Sequence, residues 1–259
     1  MRTVAEIEEA LFELAPGECA QDWDNVGLLV GRPWKEVQNI LVSLDITEEV
    51  IAEAAQWGAD VIVAHHPVVF HGQKSVTDRD PVGQRLLGLL ENGIAAICMH
   101  TNLDCAENGV NDILAQTLGI RTPEPFTGEG VGRCGWREEP MALPDFVRLV
   151  SRALNCNGVR YADGGKPVHR VAVGGGACGE FEDAAIAAGC DTFVTADLSY
   201  HQFVDARSKG INLIDAGHFP TEDLVCGEVV AYLSARFPQL NIRKSEMHHE
   251  VIQYYVEGE

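Results

Sequence analysis

The chain has 259 residues, 46% of them hydrophobic, enough for one large or two ordinary domains with full cores. Its formal charge of −20, from 39 acidic and 19 basic residues, argues against a nucleic-acid or anionic-membrane binder that works by counterion release. No run approaches the roughly 18 apolar residues needed to span a bilayer, and the acidic amphipathic start is no signal peptide, so cytoplasmic residence is the expectation.

Eight cysteines without a C-x-x-C pair read as reduced, mostly buried small hydrophobes rather than a disulfide frame or zinc ribbon. Cys105, although beside Asp104, is read as packing.

In chain order, Thr3 to Leu14 has helical spacing, with Val4, Ile7, Leu11 and Leu14 on one face and a break at Pro16-Gly17. Trp23-Asp24-Asn25 is a polar turn before a short strand ending at Gly31, and Asp24 and Asn25 are read as turn stabilisers in preference to residues facing a site. Ile40 to Thr47 is a strand with Asp45 at its end and Thr47 capping a helix over Glu48 to Gln56.

Val61-Ile62-Val63-Ala64 is a β-branched apolar run, the signature of a strand buried on both faces, and His65-His66-Pro67 comes directly off its carboxyl end. Open α/β sheets bind ligands beyond the carboxyl ends of their strands, and paired imidazoles there suit zinc, iron, manganese or nickel. A helix over Pro81 to Asn92 leads to another buried strand that ends in His100-Thr101-Asn102-Leu103-Asp104. A helix from about Gly109 to Leu118 closes this part, and residues 121–140, rich in Gly, Pro and Glu, read as a crossing between domains.

Leu143 to Leu154 is a helix with Pro144 at its start, and Val171-Ala172-Val173 runs into the turn Gly174-Gly175-Gly176 before a helix over Glu180 to Ala188. From here the chain repeats itself. Val171-Ala172-Val173 and Gly189 to Thr195 echo Ile40-Leu41-Val42 and Gly58 to Ala64 at an offset of 131, and His218-x-x-x-Glu222 falls on His100-x-x-x-Asp104 at an offset of 118. The expected fold is therefore α/β: two similar domains from an internal duplication, with mixed sheets flanked by helices, 1–126 with 223–259 forming one and 127–222 the other.

If the two halves face each other, His65, His66, Asp104, His218 and Glu222 share a cleft, with His218 and Glu222 on one helical face if Pro220 begins a helix. Three imidazoles and two carboxylates exceed what a single open tetrahedral zinc takes, and they suit two divalent cations (Zn, Fe, Mn or Ni) that lower the pKa of a bridging water for hydrolysis. His100 and His201 are the candidate catalytic residues, as proton shuttles or as partners that orient a ligand. His71, His169, His248 and His249 are read as surface or packing residues.

These motifs resemble the Ngg-one-interacting factor three family, known in bacteria as GTP cyclohydrolase I type 2 homologues or dinuclear metal-centre hexameric proteins. The resemblance rests on Trp23-Asp24-Asn25-Val26-Gly27-Leu28, His65-His66-Pro67, His100 to Asp104, Thr195 to His201 and Gly217 to Glu222, in that order over nearly the whole chain. It implies the same five metal ligands, two metal ions, a small-molecule substrate and a ring-shaped homohexamer. Two departures from the family pattern are Ala196-Asp197, where many relatives have Gly-Glu or Gly-Asp, and the lack of the extra domain that longer relatives insert near residues 126–132. The function expected is hydrolysis of a nucleotide-like or cyclic-amide substrate. A metal-storage, metallochaperone or regulatory scaffold without turnover is the alternative.

Overall fold

The structure, a computed structural model, describes residues 2–255. The chain divides into two compact units, one running to Ala106 and resuming over Val225–His249, the other Glu107–Leu224 resumed from Glu250.

The first unit is built on a five-stranded sheet in the order Asn241–Lys244, Asn39–Ser43, Val61–Ala64, Ala95–Cys98, Gly27–Val30. The first four are mutually parallel and the last is antiparallel. All four residues of Val61–Ala64 are buried, as a central strand covered on both faces requires. Leu41, Ile62 and Ala96 pack under Val50, Ile51 and Ala54 of the Glu48–Trp57 helix and Leu86 and Leu89 of the Pro81–Glu91 helix. Local chemistry fixes the ends: the Thr3 and Glu6 side chains form a reciprocal capping box, and Thr47 and Asp80 accept from the amides of Val50 and Gly83.

The second unit has a six-stranded sheet in the order Arg121–Glu124, Arg133–Met141, Val168–Val173, Thr192–Thr195, Asn212–Asp215, Arg160–Ala162. Its last three chain-order strands run parallel, with antiparallel neighbours on both sides. The duplication is visible in the ladders. Ile40 pairs with Val61 and Val61 with Ala95, while Val171 pairs with Thr192 and Thr192 with Asn212, so the offset of 131 holds for the first two strands of each trio and shortens at the third. In each unit an antiparallel strand that precedes the trio in sequence joins its last member.

Two expectations differ from what is built. Residues 121–140 are not a crossing but two paired strands of the second sheet. They lie at its edge with most side chains exposed, so they carry no buried apolar run to announce them. The Val110–Thr117 helix, read as closing the first half, places Leu114 and Ala115 in the second core with Phe146 and Val150. Among the described residues none of the eight cysteines is in a disulfide, and no helix is long and apolar enough to cross a membrane.

Candidate metal centre

In the first unit three parallel strands deliver polar side chains from their carboxyl ends: Asp45, His65 with His66, and His100. Asp104 does not come from a strand end, as the sequence reading had it, but from a single helical turn, Thr101–Cys105. That turn starts because the Asp24 carboxylate accepts hydrogen bonds from the Thr101 amide and hydroxyl, capping the helix from a distant turn. Asp24 is therefore more than a turn stabiliser.

Each imidazole is tethered through Nδ1. His65 donates to the Met99 carbonyl at 2.8 Å, His66 to Asp45 Oδ1 at 2.8 Å and His100 to Asp24 Oδ1 at 2.8 Å. A proton held at Nδ1 puts the lone pair on Nε2, the tautomer a metal ligand needs. The three rings lie 5.0 to 5.7 Å apart, and one ligating atom from each falls within 4.8 Å of the others, so the trio could hold a metal ion. Asp104 Oδ1 is 3.6 Å from His65 Nε2.

Burial alone would raise the Asp24 carboxyl, but hydrogen bonds from His100 and Thr101 outweigh it and hold that group well below the usual carboxylate range. Asp24 is thus a fixed negative charge behind His100. Asp45 has a similar role for His66 and accepts a second contact, His248 Nε2 to Oδ2 at 2.9 Å. His248, read from sequence as surface or packing, is buried and belongs to this array.

The second unit repeats the device. The His218–Glu222 helix forms with Pro220 inside it, and its four-residue spacing brings His218 Nε2 to 3.0 Å from Glu222 Oε2. His218 Nδ1 is held by Asp197 Oδ2 at 2.7 Å. Asp197 reaches it from a left-handed backbone conformation, φ 56°, a costly geometry for a non-glycine residue that tends to mark functional positions. The Gly174-Gly175-Gly176 turn lies against this helix, with the Gly176 amide donating to Thr221 Oγ1 at 3.0 Å. His201 stands on the exposed face of the Tyr200–Lys209 helix with its ring edge against Tyr200.

Of the sequence candidates, the first unit brings together His65, His66, His100 and Asp104, and the second His218 and Glu222. Sequence reasoning set aside a site-facing role for Asp24 and did not assign Asp45 and Asp197 as anchors of the imidazoles. Their only signal was that each is an acidic residue just beyond or before a short strand. Replacing Asp45 with Asn should leave the fold intact and weaken metal binding by about 10- to 100-fold, the usual cost of losing a ligand's anchor. Titration of the apo protein with zinc, followed by calorimetry, checks this.

Fold and site together define a mixed α/β protein with histidine and carboxylate groups able to hold metal. The chain belongs to the Duf34/NIF3 (NGG1p interacting factor 3) family, whose model matches residues 2–251. It is 34% identical over 224 residues to the GTP cyclohydrolase 1 type 2 homolog of Clostridium perfringens, covering 84% of this chain and 86% of that one. It is 36% identical over 234 residues to the protein of the same name from Streptomyces coelicolor, covering 86% and 82%. Among solved structures, a Bacillus cereus protein related to NIF3 superposes with a TM-score of 0.93 at 24% identity, over 98% of this chain and 99% of that one, a likeness of fold. Reduced HcgD from Methanocaldococcus jannaschii superposes at 0.83 with 27% identity, over 95% and 98%.

Proposed function

We propose that His65, His66 and Asp104 of the first unit and His218 and Glu222 of the second are metal ligands, that the protein holds two divalent cations of Zn, Fe, Mn or Ni character, and that it is a metal-dependent hydrolase of a small nucleotide-like or cyclic-amide substrate. The observation that carries this reading is the shared posture of the three imidazoles in that set. His65, His66 and His218 are each fixed at Nδ1 by a carbonyl or carboxylate and so present Nε2. Histidines that serve packing alone have no reason to share one tautomer, whereas metal ligands do. The donor set is mixed nitrogen and oxygen, which suits these metals. The name carried by the curated relatives supports a cyclohydrolase-type substrate.

When bound, such cations supply Lewis-acid activation of water and polarisation of the bond to be cleaved. The chain's own residues do the rest. The carboxylates of Asp104 and Glu222 would offset about half of the charge of the two cations. His100, with its Nδ1 proton donated to Asp24, would accept a proton from the attacking water at Nε2 and pass it to the leaving group. The proposed assembly is a homohexamer, checked by mass photometry.

The test is turnover across a panel of nucleotides, cyclic amides and phosphoesters. Exhaustive chelation should abolish hydrolysis and added divalent metal should restore it. Hydrolysis that survives complete metal removal refutes the reading.

A further inference from the structure

Next to the histidine trio the first unit displays two aromatic side chains that its core does not use. Trp23 is 61% exposed and Phe70 is 43% exposed, with their ring centroids 5.7 Å apart and the planes inclined at 55°. Both border His100, at 6.2 Å and 6.0 Å, and both stand nearly perpendicular to its ring.

This display is built rather than left over. The residue after Trp23 is Asp24, locked onto His100 and Thr101. The residue after that, Asn25, donates from Nδ2 to the carbonyl of Val69, the neighbour of Phe70. The hydrogen bonds that place His100 therefore also place the two aromatic rings, and tie their two loops together. Large exposed apolar groups beside a polar site mark ligand contact. Two inclined aromatic faces offer a flat ring what an aliphatic lining does not, since stacking needs a planar partner.

We infer that Trp23 and Phe70 form a stacking corner for a planar heteroaromatic ring, and that they are specificity determinants for the ligand handled at the imidazole cluster. The inference rests on the metal-site reading only for what happens to the ring after it binds. A ring laid on either aromatic face comes alongside His100 and the neighbouring imidazoles, where a water could attack one of its carbons.

The probe is 2-aminopurine riboside, whose fluorescence is quenched on stacking, titrated into the metal-loaded full chain, with ribose 5-phosphate as the control without a base. Quenching should saturate with the riboside, and ribose 5-phosphate should not compete. Trp23→Ala and Phe70→Ala should each weaken binding by about 10- to 100-fold. Trp23→Phe should stay within about threefold of wild type, while Trp23→Leu, apolar but not flat, should bind like Trp23→Ala. Metal content, measured in parallel, should be the same in every variant.

Riboside binding indifferent to Trp23→Ala and Phe70→Ala, or fully rescued by Trp23→Leu, overturns the inference. So does a Trp23→Ala variant that changes oligomeric state while binding riboside as wild type does, which would assign the rings to a second copy of the chain. A wild-type protein that binds the riboside through these rings but takes up no metal would sink the metal-site reading and leave the stacking corner standing.

Discussion

Glu222→Gln should leave the protein folded and cost it metal. Glu222 is only 4% exposed, on a five-residue helix where its Oε2 lies 3.0 Å from His218 Nε2. Glutamine keeps the shape and removes the charge, so packing is conserved while the hard anionic ligand is lost. On the proposed ligand set, metal affinity should fall by about 100-fold or more, beyond the range seen for residues that only orient a ligand. The apo protein should keep its stability, because the glutamine amide can donate to the lone pair on His218 Nε2 in place of the carboxylate's contact. Mass-spectrometric metal content after dialysis, set beside calorimetry of the apo forms, reads both effects. Metal retained at wild-type affinity would remove Glu222 from the proposed ligand set. A collapse of the apo form would make it a structural residue instead.

The parts of this site legible in the sequence are those whose cause is local. A β-branched run followed by His65-His66-Pro67 declares a buried strand and what leaves its end. The i to i+4 spacing of His218 and Glu222 declares a shared helical face, and the structure builds that helix. Thr3, Thr47 and Pro144 mark helix starts for the same reason. The groups that orient the imidazoles have no local cause. Asp24 lies 76 residues from His100 and Asp45 lies 21 from His66, and only the sheet brings them together. His248 reaches Asp45 because the chain returns to the first sheet as a parallel edge strand, Asn241–Lys244, an event without a signal near His248 itself. Asp104 reads as a strand-end residue in the sequence because the helix that carries it is one turn long and is capped from outside. The duplication did show in the sequence, since equal spacing of Gly-x-Asp strand entries survives where side chains have diverged.

Gly176→Ala should separate backbone strain from loss of metal at the second unit's proposed ligands. Gly176 sits at φ 62°, and a Cβ added there would lie 2.2 Å from Glu222 Oε1 and 3.0 Å from His218 Nε2. Contacts that short are not tolerated, so the carboxylate must swing away. The left-handed backbone adds about 1–2 kcal/mol of strain for a residue with a Cβ. Gly93→Ala supplies the control. Its φ is 64°, nearly the same, but a Cβ there meets nothing within 4 Å. Both variants should therefore lose a few degrees of thermal stability, at roughly 2–4 °C per kcal/mol for a chain of this size. Only Gly176→Ala should also lose metal, because only there does the new methyl group occupy space that Glu222 and His218 need. Equal metal content in the two variants would mean that the Gly174-Gly175-Gly176 turn is a structural bend and that its closeness to Glu222 has no bearing on coordination.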